Sequence, residues 1–392
     1  MQIESIKIKN YRLFRDVEIK AIPKLCVLVG ANGTGKSTLF DVFSFLKDAL
    51  SGNVTKAVGK RGGFKELASR GHADEPIEIS LQFRLQLAKY QRLVTYVLEF
   101  VQEKGKIVIT REILRYKRGK HGSPYRFLDF ARGKGFAINN EEDFSKSDED
   151  LTREEQQVEP DILAVKGLGQ FERFKGANAF RSMIENWHIS DFHVSEARPS
   201  REIEYAEHLS TLGDNLAQVA SYMAEQHPER FKQVLLSMQK RVPGVQLVDS
   251  KQTEDGRLVL RFQDGSFKDP FLARHVSDGT IKMFAYLVLL HDPSPFPLLA
   301  IEEPENQLYP ELLVELAEEF RAYAERGGQV FVSTHSPDFL NALRLEEIFC
   351  LQKREGFTQI RNAGESEILH ALNKEGDLPG YLWKQGLMKD LM

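Results

Sequence analysis

The chain has 392 residues, with 53 Lys and Arg against 57 Asp and Glu and a formal net charge of −4; that length predicts one large domain with inserted subdomains, or two domains, and that charge excludes a global attraction to nucleic acid. Its two cysteines, Cys26 and Cys350, each sit inside an apolar strand-like run, which predicts neither a disulfide framework nor a cysteine metal site and fits a reducing compartment. The opening Met1–Lys7 has no basic region followed by an apolar stretch, and no apolar run approaches membrane-spanning length, so a cytoplasmic protein with no membrane partner is expected.

In chain order, Ile3 to Lys9 alternates apolar and polar and then turns through Tyr11-Arg12-Leu13-Phe14 into Val17 and Ile19, predicting two antiparallel strands. The apolar run Leu25–Val29 follows and delivers Gly-Ala-Asn-Gly-Thr-Gly-Lys-Ser over Gly30–Ser37, after which Thr38–Phe43 opens a helix. Glycines let consecutive backbone N–H groups turn toward one anionic centre, Lys36 can reach β- and γ-phosphates, and the Ser37 hydroxyl can hold Mg²⁺. The helix N-terminus adds its dipole to that site. Gly30, Ala31, Asn32, Gly33, Thr34, Gly35, Lys36, Ser37 and Thr38 are therefore the expected nucleotide-binding residues.

Next comes a glycine-rich loop, Gly59–Phe64, whose Lys60 and Arg61 are candidates for steering ATP or touching DNA. Strand-like runs at Ile77–Leu87, Arg92–Val101 and Ile107–Tyr116 predict an antiparallel layer. Residues Glu141 to Pro160 hold nine acidic and two basic side chains and read as an exposed loop or linker. Helices are then expected at Ala177–Trp187, Leu212–Ala224 and Glu229–Val242, with a hairpin from Val245–Asp249 and Leu258–Phe262. The organisation expected is an N-terminal lobe at 1–140, the acidic loop at 141–160, a helical insert at 161–275 and a C-terminal lobe at 276–392, with the two lobes forming one domain.

The second half carries further chemistry. Leu298–Ile301 is an apolar strand running into Glu302-Glu303-Pro304-Glu305, which makes Glu302 the metal-side candidate and Glu303 the residue that orients an attacking water. After the helix Pro310–Arg326, the strand Val330–Ser333 delivers Thr334-His335-Ser336-Pro337, and both strand tips are expected at one sheet edge, with His335 sensing a γ-phosphate. Val276-Ser277-Asp278-Gly279-Thr280 opens another apolar helix and can present N–H groups to an anion, although Ser and Asp also serve simply as caps.

These pieces, in this order, resemble the ATP-binding-cassette ATPase heads of the SMC, RecF and OLD group, and within it the stand-alone AAA-family ATPases of bacterial defence operons. The resemblance runs from Ile6–Phe14 to about Asp338. It implies an α/β fold with a mixed central sheet, an antiparallel β-subdomain and an inserted helical subdomain. Gly30–Ser37 looks like Walker A, Ser277, Asp278, Gly279 and Thr280 like a signature motif acting in trans, Leu298–Glu303 like Walker B with its catalytic glutamate, Asn306–Pro310 like the D-loop and His335 like the switch histidine. Two departures stand out: Asp278 falls where transporters carry glycine, and Glu302 where Asp is usual. The family's Q-loop glutamine, a further Mg²⁺ ligand, falls on Gln170 in preference to Gln82.

The resemblance further implies an ATP- and Mg²⁺-dependent homodimer joined head to tail around ATP, regulating a separately encoded effector in a defence or toxin system, with a RecF-like DNA-binding ATPase as the alternative. The basic stretch Lys104, Lys106, Arg111, Arg115, Lys117, Arg118 and Lys120, with Tyr116, is the candidate DNA contact, against a plain reading as a solvated hairpin. About fifty-five residues follow His335, too few for the nuclease domain of OLD proteins, and the Asp148-Glu149-Asp150 cluster has no apolar strand to fix it. The apolar tail Leu372–Met392 is expected to dock on the core.

Overall fold

The computed structural model describes residues 2–87, 90–118, 123–141, 147 and 150–389, arranged as two compact units. The first comprises Met1–Trp187, Leu345–Leu372 and Gly386–Met392, and the second His188–Arg344 and Asn373–Gln385.

The first unit opens with the expected hairpin, Gln2–Tyr11 against Phe14–Ile19, in a register that pairs Ile8 with Val17 and Ile6 with Ile19. Arg12 turns it with a positive φ of 49°. Ile77–Leu87, Tyr90–Glu103 and Lys106–Tyr116 extend this layer, followed by Tyr125–Ala131, Lys134–Ile138 and Arg153–Gln157, into an eight-stranded antiparallel sheet. Its period-two pattern buries Ile77, Ile79, Leu81 and Phe83 on one face. Against that face, Phe180 from the helix Lys175–Glu185 packs on Tyr96 and Phe83, while Phe45 stacks on Phe100 at 5.2 Å. Truncating one such buried aromatic to Ala costs roughly 3–5 kcal/mol.

A buried carboxylate ties this sheet to the next segment. Glu112, 1 % exposed, accepts from Tyr96 Oη at 3.1 Å and from the N–H groups of Ala164 and Val165 at 2.6 and 3.1 Å, at the start of the helix Ala164–Leu168. Burial pushes its carboxyl up to about 7, and the donated bonds only partly offset this.

The acidic segment departs from the expected exposed loop. Arg153–Gln157 pairs with Lys134–Ile138 as a charged edge strand, with Arg153 over the Phe136 ring, because charged and polar side chains suit an edge that must resist further pairing. Glu141, at its start, is buried and accepts from Tyr116 Oη and, at 3.0 Å, from Gly176 N–H.

The strand Leu25–Gly30 is buried along its whole length and lies parallel to Ile348–Arg354, with Leu28 opposite Phe349 and Gly30 opposite Leu351. Ile348–Arg354 in turn pairs antiparallel with Phe357–Asn362, so this sheet is mixed. Both cysteines are buried core residues of these strands.

In the second unit, His188–Ser190, Leu298–Glu302 and Gln329–Thr334 are parallel neighbours. Glu311–Glu325 is the crossover helix between the last two and buries Leu313, Leu316, Ala317 and Phe320, the 3.6-residue stripe of its sequence. The helix Asp278–Leu290 buries every residue from Ile281 onward, which its nearly unbroken apolar sequence requires. Leu216–Gln226 and Pro228–Arg241 pack around the hairpin Val245–Gln252 with Arg257–Asp264. The tail helix Pro379–Lys384 docks on Pro337–Leu340: Gly380 N–H donates to Asn341 Oδ1 at 2.9 Å and Leu382 is fully buried.

Candidate functional site

In the first unit, the phosphate loop is built by the backbone. The strand ends at Gly30, where an added Cβ would lie 2.6 Å from Thr34 Oγ1 and 2.7 Å from Leu351 O, so only glycine fits. Gly33 and Gly35 take φ of +74° and +101°, the left-handed region that turns successive N–H groups to one side. Thr34 Oγ1 donates to Ala31 O at 2.8 Å and closes the turn. Lys36 Nζ donates to Gly30 O at 2.9 Å and Ala31 O at 3.2 Å, so the ammonium is folded along the loop it would serve. The 16-residue helix Lys36–Ser51 starts from Gly35 with no side-chain cap. The positive end of its dipole lies at the loop, the arrangement that favours an anion there. Ala31, Asn32, Gly33 and Ser37 are exposed, whereas Thr34, Lys36 and Thr38 are buried supports.

A residue far along the chain holds this loop. Thr358 Oγ1, buried on the returning strand Phe357–Asn362, donates to Thr34 O at 2.7 Å. Gly35 must be glycine partly for this reason, because a Cβ there would meet Thr358 Oγ1 at 2.7 Å and Phe14 at 3.0 Å. Thr358 carries no motif, and no local spacing in the sequence points to it.

In the second unit, the two parallel strand tips meet as their sequence implies. Glu302 ends its strand opposite Ser333 and is exposed. Glu303 leaves the strand at a φ of +43°, a strained position for a side chain, and its N–H donates to Ser333 O at 2.9 Å. Its carboxylate lies between Asn306, whose Nδ2 donates to Oε2 at 3.0 Å, and His335, whose Nε2 is 3.3 Å from Oε1. Glu305 accepts from Thr334 Oγ1 at 2.8 Å and from His335 N–H at 2.7 Å, and so fixes the loop that aims the imidazole. Glu305 was missed as a functional residue, though it is the third acid of the Glu-Glu-Pro-Glu run. Among the described residues, Ser333 Oγ and Glu305 Oε2 are buried atoms with no hydrogen-bond partner, and His335 Nε2 has its contact with Glu303 but no hydrogen bond of good geometry. Orphaned polar atoms at a strand tip mark a place where a bound group would supply the missing partners. A cavity of about 390 Å³ opens beside Glu302 and Glu303 and is lined also by Ser190, Asp191, Lys282 and Asn306.

The turn Ser277–Thr280 is a well-formed cap, with Ser277 Oγ accepting from Thr280 N–H at 3.3 Å. Ser277 and Asp278 are exposed. The acid that replaces the usual glycine is neutralised: Arg198 donates to the Asp278 carboxylate and, at 2.8 Å each, to Ala273 O and Val276 O. Gly279 packs on the loop Asn306–Pro310, where an added Cβ would lie 2.7 Å from Gln307 O.

Several candidates fall elsewhere. Arg61, with 6 % of its side chain exposed, is bound to Asp41 and Asp48 at 2.8 and 2.9 Å and is a structural cation rather than a free contact; Lys60 pairs with Asp48 at 2.6 Å. Tyr116 and Arg118 are buried beside Glu141, to whose carbonyl Arg118 donates at 3.5 Å, so neither belongs to an exposed basic face. Arg111 is paired in register with Glu99, as the solvated-hairpin reading requires. Lys120 and the acids Asp148 and Glu149 lie outside the described residues. Gln170 is exposed in the turn after Ala164–Leu168, while Gln82, inside its strand, accepts from Ser5 Oγ at 3.1 Å. Among the described residues no helix is long and apolar enough to cross a membrane.

The RecF DNA replication and repair protein of Lactococcus lactis subsp. cremoris (strain MG1363) is 23% identical over 145 residues, which are 35% of this chain and 40% of that protein. RecF of Heliobacterium modesticaldum (strain ATCC 51547 / Ice1) is 27% identical over 137 residues, 33% of this chain and 37% of its own length. The chain thus spans about two fifths of these relatives. Among solved structures, an Smc head bound to the C-winged helix domain of ScpA superposes with a TM-score of 0.57 over 92% of this chain and 97% of that one, at 14% identity, a likeness of fold alone. The family described as "AAA domain, putative AbiEii toxin, Type IV TA system" matches residues 25–341. With both strand-tip motifs and the phosphate loop inside that span, the chain belongs to this AAA-domain family and has the fold of an Smc-type head.

Proposed function

We propose that the protein hydrolyses ATP with Glu303 and uses the nucleotide to join two copies head to tail. The observation that carries this reading is the carriage of Glu303, held on strained backbone between Asn306 and His335 with orphaned polar atoms around it. In this reading Gly30–Thr38 cradles the triphosphate, with Lys36 on the β- and γ-phosphates. Ser37, Glu302 and the family glutamine, for which Gln170 is the candidate, face Mg²⁺. When bound, that ion neutralises charge on the β- and γ-oxygens. Glu303 orients the water that attacks the γ-phosphorus, and His335 hydrogen-bonds the γ-phosphate. The Ser277–Thr280 turn of a second copy closes over the same nucleotide, so that hydrolysis removes concentrated charge from the interface and releases it.

The joined state would switch a separately encoded effector in a bacterial toxin or anti-phage system, in line with the toxin–antitoxin wording of the family description. A cytoplasmic location suits that role. The test is sedimentation and turnover of the Glu303→Gln protein. A stable ATP-dependent dimer with hydrolysis reduced by about 10²–10³ is expected; wild-type turnover by this variant would remove Glu303 from the mechanism.

The RecF relatives favour a second reading, in which the joined heads clamp DNA. Binding of duplex DNA by the purified chain, weakening steeply with salt, would select it.

A further inference from the structure

Lys282 lies one turn into the helix that the Ser277–Thr280 turn opens, and at 5 % exposure it is a buried cation on an otherwise apolar helix. Burying an ammonium is costly unless it is paired and hydrogen-bonded. Its Nζ donates to the backbone carbonyl of Asn306 at 2.7 Å, lies 5.7 Å from the Tyr286 ring, and feels the carboxylates of Glu305 and Glu303. Burial pulls the ammonium down to about 8 against the opposing pull of those two acids. One side chain of the signature helix thus holds the carbonyl of the residue whose amide holds the Glu303 carboxylate. Gly279 reinforces the link from the helix start, packed against Gln307 O. Gln307 adopts a φ of +69° and donates to Asp278 at 3.4 Å.

We propose that Lys282 is a positioning residue that makes the signature helix and the loop Glu303–Leu308 one mechanical piece, so that seating of the Ser277–Thr280 turn sets the aim of Glu303 in the same chain. The inference rests on the head-to-tail reading. In such a pair the signature turn of one copy closes on its partner's nucleotide, while Glu303 of that copy serves its own. The tie therefore carries the occupancy of one nucleotide site to the catalytic group of the other, and hydrolysis is cooperative in ATP.

The experiment uses the full chain with Lys282→Met, Lys282→Arg and wild type. In the absence of nucleotide, hydrogen exchange at the Asn306 and Leu308 amides is expected to speed up by about tenfold in Lys282→Met while the strand Leu298–Ile301 stays protected. In steady state, ATP affinity should stay within about twofold and kcat fall by about tenfold, as for a catalytic group displaced by a fraction of an ångström, with the Hill coefficient dropping to about 1. Lys282→Arg keeps a cationic donor and should return all three readouts toward wild type; should Lys282→Met not fold, Lys282→Gln takes its place with the same expectations. Unchanged exchange at Asn306 and Leu308 overturns the proposal, and so does faster exchange with wild-type kcat and Hill coefficient. Non-cooperative hydrolysis by the wild type, or no ATP-dependent pairing, sinks the head-to-tail reading itself and the inference with it.

Discussion

The phosphate loop of the first unit and the strand tips of the second solve opposite problems. The loop is a backbone object: glycines fix its path, and Thr34, Lys36 and Thr358 brace it from buried positions by donating to its carbonyls. The tips are a side-chain object, with carboxylates, an amide and an imidazole held a few ångströms apart on strained backbone, and with polar atoms left unpaired. Grip tolerates no choice of residue, since a Cβ at Gly30 or Gly35 collides. In the proposed mechanism the tips must respond to the presence of a third phosphate, which suits a site with polar atoms still unpaired.

That contrast can be broken by substitutions that should act on one half alone. The largest effect is expected for Glu303→Gln, which removes water activation and should lower kcat by about 10²–10³ while nucleotide affinity measured by fluorescence titration is kept. Lys36→Ala should do the reverse, weakening ATP binding by about 10² through loss of charge-assisted bonds to phosphate while the melting temperature holds. A tip residue that abolished binding, or a loop residue that changed only kcat, would erase the distinction. Glu112→Gln sharpens it from the side of stability. The Glu112 carboxyl is raised to about 7 in the folded chain, so its contribution is complete below its ordinary value near 4.5 and is lost as pH rises through 7. This amounts to roughly 3 kcal/mol. Denaturant melts of the wild type should weaken over that window and those of the Gln variant should not. Thr358→Val is the smallest: removal of one buried donor leaves Thr34 O unsatisfied, a loss of roughly 1–2 kcal/mol that should appear as a several-fold drop in ATP affinity with kcat unaltered.

How much of this could be read from residue order follows from the same contrast. The tight turn of Gly30–Ser37 was legible because its glycines stand where the backbone needs positive φ or close approach, and the apolar runs ending in Glu302 and Thr334 were legible because a buried parallel strand must be apolar until its tip. The alternating strands of the first unit declared themselves through period two. The acidic segment misled because composition says nothing of pairing partners, and Arg153–Gln157 has its partner in Lys134–Ile138. Arg61 and Arg118 misled for the opposite reason, since a cation's exposure is decided by Asp41, Asp48 and Glu141, which the fold brings beside them. Lys282, Arg198 and Thr358 act through backbone carbonyls, and a carbonyl looks the same in every residue.

The bond from Thr358 to the phosphate loop also sets a timetable. It joins residues 324 positions apart, and both strands that brace the loop, Ile348–Arg354 and Phe357–Asn362, are made after all the recognisable motifs. A nascent chain that has already emerged through His335 therefore carries every nucleotide motif but not the braces of its own phosphate loop. Contacts of such long sequence separation close late and slowly. In the proposed reading, firm capture of ATP therefore waits until Phe357–Asn362 has been made and folded back onto the loop.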